Sequence, residues 1–421
     1  MKKVFISSVN VLHPDFNGKH PVDVFISDGK IAEIGVDLKA PAGAMLIDGK
    51  GCFIAPGFCD LNVNFGEPGL ETKETIESGS RAAMAGGITA LALMPNTKPA
   101  LHTKSEIAYI VNKSAQQGIH IYPLGAISEE RKGENLAEMY DIKTAGAVAF
   151  TDGDRPVKDA GLMSRALLYA KGIGTKIFSY PEDPGLAAHA PINEGPMSTL
   201  LGLKGNPSLA EELMISRDIE LAAYHDTGIH FSTVSGARSV QLIREAKAKG
   251  LKITCDVAVH HLVFTENDLS GFDSNLKVKP PLRSTKDREA LLAGLADGTI
   301  DAIVSQHTPH EIEFKNVEFG LAAYGMTGLQ TLLSMSLKAG LKPVQIVEKL
   351  AINPRKILNI PIPKLLVGET ADLVLFDPKA NWVFDANSNQ SRCSNHPLMG
   401  ESLIGKVLFT CNKGITYSSK S

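Results

Sequence analysis

The stretch of sequence that decides the fold reads PGFCDLNVNFGEPG over residues 56–69. It begins as an apolar run of strand length, and polar side chains then follow at every second position, at Asp60, Asn62 and Asn64. Because successive side chains of a strand point to opposite faces, this spacing predicts that the three polar residues share one face. The sequence therefore predicts a buried strand with a polar carboxyl end.

Seven more runs of strand length follow this one, and helical segments lie between them. Eight strands that alternate with helices over about 300 residues predict an α/β fold of the (β/α)8 barrel type. A doubly wound sheet is the alternative, but no G-x-G-x-x-G follows the first strand. Capping-box patterns predict helix starts at 103–106 and 208–211. The eight runs are 58–65, 88–95, 120–127, 145–152, 176–182, 230–236, 252–259 and 301–308.

The two ends of the chain differ from its middle. Residues 1–55 alternate apolar and polar side chains around Asp28-Gly29, a pair typical of a type I′ hairpin turn. The C-terminal stretch alternates in the same way, and neither end is long enough to form a stable β-domain alone. We therefore predict a composite β-sandwich from residues 1–55 and 362–421, and a barrel over residues 56–361.

Composition excludes several classes of protein. The 421 residues carry 43 Lys+Arg and 46 Asp+Glu, and this balance argues against a nucleic-acid-binding or polybasic membrane-binding protein. No apolar run approaches the ~18–20 residues that span a bilayer. Five cysteines without a C-x-x-C pair, and an N-terminus without the apolar core of a signal peptide, favour a reducing compartment. We expect a cytoplasmic protein without nucleic-acid or membrane partners.

In such a barrel the catalytic groups lie at the carboxyl ends of the strands. Here those ends carry mainly neutral side chains, namely the amides of Asn62, Asn64 and Gln306, the phenol of Tyr180 and the hydroxyl of Thr233. Zinc prefers imidazole, thiolate or carboxylate ligands. The carboxyl ends of the strands together form the mouth of the barrel. Judged by its residues alone, this mouth is polar and rich in amides, and it is not a convincing metal centre.

Further motifs are EPG at 67–69, NEG at 193–195, HHL at 260–262, KVKPPLR at 277–283 and DGTID at 297–301. With these motifs the chain resembles the dihydroorotases of the cyclic amidohydrolase superfamily over essentially its whole length. The resemblance implies a zinc hydrolase that reversibly closes carbamoyl-aspartate to dihydroorotate in pyrimidine synthesis. In that family a zinc-bound hydroxide attacks the amide carbonyl and an aspartate moves the protons.

Carried over position by position, the family's metal ligands are missing. Glutamine cannot take up a proton at neutral pH, so the general base is lost as well, and no lysine stands at position 153 to be carboxylated. Asn96 and His310 match the family and are the possible substrate-binding residues. We therefore interpret the chain as a pseudoenzyme with no metal and no confident catalytic residue. The former ligand positions are Asn62, Asn64, Gly153 with the flanking Asp152 and Asp154, Tyr180, Thr233 and, for the general base, Gln306.

Family members that lack the ligands act as structural partners of aspartate carbamoyltransferase, and the resemblance implies that role here, in a homo-oligomer. An active dihydroorotase or another cyclic amidohydrolase with atypical zinc ligands is one alternative, and a sensor of a pyrimidine intermediate is another. A metal pair of His307 and His310 with His230 or His260 is a weaker hypothesis, since nothing in the spacing makes them converge. The sequence does not decide whether residues 184–200 form an ordered lid.

Overall fold

The computed structural model describes residues 3–16, 18 and 20–419. These residues form two eight-stranded sheets, a two-stranded sheet and the helices that cover them. The strands in chain order are β1 (Val4–Val11), β2 (Val22–Ser27), β3 (Lys30–Gly35), β4 (Met45–Asp48), β5 (Phe53–Pro56), β6 (Phe58–Val63), β7 (Ile88–Leu93), β8 (His120–Gly125), β9 (Ala149–Phe150), β10 (Ile177–Ser179), β11 (Ile192–Asn193), β12 (Gly205–Asn206), β13 (Ile229–Phe231), β14 (Ile253–Ala258), β15 (Ala302–Val304), β16 (Leu373–Val383), β17 (Ser402–Asn412) and β18 (Ile415–Ser418).

The helices lie between the barrel strands and after the last of them. None of those described is long and apolar enough to cross a membrane. Short 3₁₀ segments at Glu129–Arg131, Val259–Leu262, Glu266–Gly271 and Ser274–Leu276, and a π-helical turn at Glu348–Ile352, accompany them. The α-helices are α1 (Ile76–Ala85), α2 (Lys104–Ser114), α3 (Met139–Thr144), α4 (Ala160–Gly172), α5 (Pro184–Ala187), α6 (Pro196–Leu201), α7 (Leu209–Tyr224), α8 (Ala237–Ala248), α9 (Thr285–Ala296), α10 (Ile312–Lys315), α11 (Leu332–Lys338), α12 (Pro343–Val347) and α13 (Asn353–Leu358).

The barrel consists of β6 to β10 and β13 to β15, and each strand pairs with the next in parallel. A parallel bridge between Val63 and His307 brings the last strand end back to the first, so the sheet nearly closes. All side chains of β6 and β7 are buried, as expected for strands that face a packed interior on one side and helices on the other. Every barrel strand lies within or overlaps its predicted run, and the predicted fold class is confirmed.

Both ends of the chain contribute to the second eight-stranded sheet. Strand β5 pairs with β16 in antiparallel fashion and so joins the N-terminal and C-terminal segments. Strand β1 pairs with β2 and β4 within residues 4–9 and with β5 at residues 10–11, so it runs from one half of the sheet to the other. Val4, Ile26 and Phe409, drawn from both halves, share one apolar core. The β-rich domain from both termini is confirmed; its boundaries at 55/56 and 361/362 remain a proposal.

Local signals at two helix starts had different outcomes. The capping box at 103–106 begins α2, as predicted. Helix α7 also begins where it was predicted, directly after Ser208, but the capping box there is wrong, because the side chain of Ser208 makes no cap hydrogen bond. The carboxylate of Glu211 instead accepts hydrogen bonds from the backbone N–H and the hydroxyl of Ser235, and from the N–H of Gly236. A tertiary contact has therefore replaced the local one, and it fixes the loop after β13.

Candidate functional site

Strand β6 places Asn62 and Asn64 at the mouth of the barrel, where their amides bond to neighbouring strand ends. Asn62 Nδ2 donates to Ser232 Oγ at 3.3 Å. Asn64 Nδ2 donates to Thr308 Oγ1 at 3.0 Å, and Asn64 Oδ1 accepts from Asn96 Nδ2 at 2.7 Å. The two positions that carry histidine in the resemblance thus hold amides that bond to groups from the ends of three other strands.

Asp60, the carboxylate of the same strand, lies behind the mouth and does not line it. It is fully buried, and its two oxygens accept the backbone N–H groups of Asn62 and Ser305, each at 3.1 Å. Burial raises the pKa of Asp60 to about 7, although these hydrogen bonds act in the opposite direction. The carboxyl group ties β6 to the end of β15 and is not offered to a ligand.

Asp152, at the end of β9, turns away from the mouth. Its carboxylate accepts the backbone N–H groups of Ile127 and Ser128 at 2.9 and 3.0 Å, and also the hydroxyl of Ser128. Burial raises the pKa of Asp152 despite these hydrogen bonds. The side chain is buried and fixes the loop after β8.

Gly153 and Asp154 likewise provide no ligand. Gly153 adopts φ +67°, and a Cβ at this position would lie 2.0 Å from Asn96 Oδ1. A side chain therefore cannot be added without moving Asn96. Asp154 forms an ion pair with the buried Arg131, whose Nε donates to the backbone carbonyl of Asp152 at 2.8 Å. Sequence reasoning missed Arg131, because no motif points to it.

Tyr180 lies at the end of β10 and belongs to a group of three side chains that contact one another at the mouth of the barrel. Its hydroxyl donates to Glu182 Oε2 at 3.2 Å, and burial together with this carboxylate raises the pKa of Tyr180 well above its ordinary value. Lys279 Nζ lies 2.9 Å from Glu182 Oε1 and 5.1 Å from the centroid of the Tyr180 ring. Asn206 Nδ2 also donates to Glu182, at 3.1 Å. We call Tyr180, Glu182 and Lys279 the mouth brace.

Thr233 and Gln306 complete the former ligand positions. Thr233 Oγ1 donates to Asp256 Oδ1 at 2.9 Å, and His230 Nε2 lies 3.0 Å from the other oxygen of that carboxylate. Thr233 is thus bonded within the barrel core. Gln306 does line the mouth, and its Nε2 donates to the backbone carbonyl of Lys279 at 2.9 Å. The amide at the general-base position therefore holds the backbone at Lys279, a member of the mouth brace, in place.

The cavity that remains at the mouth measures about 60 Å³. Pockets that bind small molecules usually enclose roughly 300–1,000 Å³. His310 does not line this cavity; its Nε2 donates to the backbone carbonyl of Tyr324 at 2.9 Å, and burial lowers its pKa to about 4. The structure therefore brings Asn96 to the mouth but places His310 in a separate groove. The residues around the cavity are Asn62, Asn64, Met94, Asn96, Gly153, Asp154, Tyr180, Ser232, Lys279, Gln306, Thr308, Tyr324 and Gly325.

Comparison with known proteins identifies the family. Residues 51–239 match the family model described as dihydro-orotase-like, and residues 201–393 match the amidohydrolase family. A dihydroorotase of Geotalea daltonii is 42% identical over 416 residues, which cover 98% of each chain. The chain belongs to the dihydroorotase family. A dihydroorotase of Acetivibrio thermocellus is likewise 42% identical, over 417 residues and 98% of each chain.

Solved structures agree with this membership. The L-hydantoinase of Arthrobacter aurescens superposes with a TM-score of 0.85 at 25% identity, over 100% of this chain and 97% of its own. A D-hydantoinase superposes with a TM-score of 0.80 at 22% identity, over 98% of this chain and 95% of its own. The second likeness concerns the fold alone. Together they place this dihydroorotase-family chain in the amidohydrolase architecture of a barrel with a β-rich domain.

The side chains at the mouth of this dihydroorotase-family chain do not fit zinc, which takes imidazole, thiolate or carboxylate ligands. The carboxylates that flank Gly153, those of Asp152 and Asp154, are engaged by Ser128 and Arg131. Within residues 3–16, 18 and 20–419, no three His, Cys, Asp or Glu side chains are grouped so that they could hold a metal ion. The positions that the resemblance assigns to metal ligands carry neutral groups or no side chain: Asn62, Asn64, Gly153, Tyr180 and Thr233.

The histidines elsewhere do not converge on a metal site either. His230 is bonded to Asp256, and His307 Nε2 lies 3.4 Å from a carboxylate oxygen of Glu74. His260 is buried with no hydrogen-bond partner on either ring nitrogen, and burial holds its pKa well below the ordinary value. These histidines are neutral or paired with carboxylates in the interior, and the hypothesis of a histidine metal pair gains no support from their positions.

Proposed function

We propose that this chain is a non-catalytic dihydroorotase-family protein of pyrimidine biosynthesis, and that it serves as a structural partner of aspartate carbamoyltransferase in the cytoplasm. The observation that carries the proposal is the closed mouth. The side chains at the former ligand positions bond to neighbouring side chains or to the backbone, and a cavity of about 60 Å³ remains at the mouth. We also propose that the protein is a homo-oligomer, without nucleic-acid or membrane partners.

The chemistry of the mouth supports the non-catalytic part of the proposal. Hydrolysis of a cyclic amide needs a group that accepts a proton and a group that polarises the carbonyl. The amide of Gln306 accepts no proton at neutral pH, and its Nε2 is already bonded to a backbone carbonyl. Asp60 has the pKa of a suitable base, but it is fully buried behind the mouth and its oxygens are bonded.

Retention of the fold supports the structural part. The barrel core and the core of the β-rich domain are packed and buried throughout the described residues. A structural role in an assembly requires a complete fold but does not require a working active site. The mouth brace adds to this argument, because its ion pair and hydrogen bonds stabilise a closed mouth instead of an open one.

Turnover of dihydroorotate tests the non-catalytic part. The purified chain and the Geotalea daltonii relative are assayed side by side, with zinc in the buffer and in both reaction directions. Loss of the general base alone costs roughly 10²–10⁴-fold in rate, so we expect the chain to be at least about 10⁴-fold slower than a working relative. A rate within a hundredfold of a working relative would identify the chain as an enzyme with atypical ligands.

Assembly tests the structural part. Aspartate carbamoyltransferase of the same organism is purified alone and together with this chain, and both samples are compared by size-exclusion chromatography and by carbamoyl-transfer activity. We expect co-elution and a change in the activity or heat stability of the transcarbamoylase, because a bound partner stabilises the state that it binds. If the chain neither co-elutes with the enzyme nor changes its activity, the proposal of a structural role is lost.

A further inference from the structure

A cluster of exposed apolar side chains lies on the loop that follows β15 and on the 3₁₀ segments before α9. Single apolar residues are normal on a protein surface, whereas a group of them on two joined segments is a candidate interaction site. We call this group the apolar face. Its members are 43% to 79% exposed, and they are Phe272, Ile312, Phe314, Val317 and Leu321.

The two segments of the apolar face are joined to each other and held rigid. The hydroxyl of Ser274 donates to the backbone carbonyl of Lys315, and the rings of Phe272 and Phe319 lie 6.2 Å apart. The buried ammonium group of Lys315 donates to the carbonyls of Ala323 and Gly325 at 2.8 and 2.9 Å. A surface that is already ordered loses little conformational entropy on binding.

The apolar face lies beside the closed mouth. A groove of about 840 Å³ is lined by Phe272, Ile312 and Val317 together with polar residues. Tyr324 and Gly325, at the end of the same loop, line the mouth cavity itself. The groove is therefore a second concave surface at the carboxyl end of the barrel, and none of the former ligand positions contributes to it.

The charges around the apolar face are mainly acidic. Asp268, Glu313 and Glu318 are exposed on its two segments, and within the described chain none of them forms an ion pair. The lysines of these segments, Lys277 and Lys315, are buried and donate to backbone carbonyls. Outside the two segments, exposed Arg392 also lines the groove.

We propose that the apolar face docks a partner protein whose contact surface presents apolar side chains flanked by lysine or arginine. This inference rests on the structural role proposed above, and it names the face through which the chain would hold its partner. Opposite charges around the edge of an interface, here acidic on this chain and basic on the partner, give specificity and faster association. A second copy of this chain is a poorer occupant. In a two-fold symmetric contact the acidic residues around the apolar face of one copy would lie against the same acidic residues of the other.

The test compares variants for binding to purified aspartate carbamoyltransferase of the same organism by isothermal titration calorimetry. Ile312→Ser combined with Leu321→Ser removes the two most exposed side chains of the apolar face. Leu46→Ser combined with Tyr224→Ser is the matched control, since these residues are similarly exposed on β4 and at the end of α7. We expect the first variant to bind roughly tenfold or more weakly and the control to bind within twofold of the wild type.

A second variant tests the charges. Glu313→Gln combined with Glu318→Gln removes two acidic groups without adding bulk. We expect binding to weaken about threefold or more at low ionic strength, and the variant to depend less on salt than the wild type. Unchanged affinity and unchanged salt dependence would overturn the assignment of a basic partner surface.

The outcomes separate this inference from the proposal on which it rests. A wild-type chain that does not bind the transcarbamoylase overturns the structural role. A wild-type chain that binds, with an apolar-face variant that binds equally well, overturns the docking face alone. If light scattering finds that the wild type self-associates and the apolar-face variant does not, a second copy occupies the face, and the partner assignment is wrong.

Discussion

Replacing Lys279 by methionine (Lys279→Met) is expected to destabilise the protein through the carboxylate that the lysine leaves behind. Lys279 Nζ lies 2.9 Å from Glu182 Oε1, and the side chain of Glu182 is 9% exposed whereas that of Lys279 is 28% exposed. Two unit charges at that distance attract each other by about 6 kcal/mol at an effective dielectric constant of about 20, before the cost of desolvation is subtracted. The net effect is therefore smaller and depends on which partner is removed.

We expect Lys279→Met to lower the free energy of unfolding by about 2–4 kcal/mol, because Glu182 then stays buried without a cation. Glu182→Gln is expected to cost less, about 1–2 kcal/mol, since the partly exposed ammonium of Lys279 can reach water. The double variant should cost less than the sum of the two single losses, by at least about 1 kcal/mol, because the residues are in direct contact.

The assay is urea-induced unfolding followed by far-UV circular dichroism, which reports on the barrel helices. Trp382, the single tryptophan, lies in β16 and gives a separate fluorescence signal from the β-rich domain. Arg81→Met is the matched control, because Arg81 forms an exposed ion pair with Glu77, and we expect it to cost less than about 0.5 kcal/mol. A similarly small loss in Lys279→Met, or a larger loss in Glu182→Gln, would refute the reasoning.

Two further predictions concern stability. Burial lowers the pKa of His261 and of His310 to about 4 and of His396 to about 3, whereas the unfolded chain takes up these protons near pH 6.5, so stability is lost as the pH falls. Asp60, with its pKa raised to about 7, opposes this slope. We expect a net loss of at least about 2 kcal/mol from pH 6 to pH 5 in urea unfolding, and stability that rises over this interval would contradict it. Gly153→Ala adds a Cβ at φ +67° and 2.0 Å from Asn96 Oδ1. We expect thermal denaturation to indicate that the free energy of unfolding falls by about 2–4 kcal/mol. No change in stability would show that Asn96 moves freely.

The fold could be predicted because its signals repeat along the chain. Each barrel strand is an apolar run that ends in polar residues, and the same alternation that predicts the strand also predicts the inward face of Asn62 and Asn64. The pairing of the two chain ends followed from the shortness of each. These inferences need only local pattern and the rule that a lone sheet must be covered.

The closed state of the mouth could not be predicted, because it depends on contacts between distant parts of the chain. Glu182 and Lys279 lie almost a hundred positions apart, and no spacing rule joins them. Asp152 bonds to Ser128, and Glu211 bonds to Ser235 instead of capping its own helix. Both contacts join residues that are distant in the sequence, so local patterns do not predict them. The resemblance predicts which ligand positions have changed, but only the structure indicates what the residues at those positions bond to.

The zinc content of the purified chain tests the central claim most directly, namely that the mouth of this dihydroorotase-family barrel no longer fits the metal. The chain and the Geotalea daltonii relative are expressed in zinc-supplemented medium, purified without chelators, and measured by elemental analysis as zinc per chain. The account predicts far less than one zinc per chain here, at a level that Asn62→Ala and Asn64→Ala do not change. One or two zinc ions per chain, lost in those variants, would contradict it.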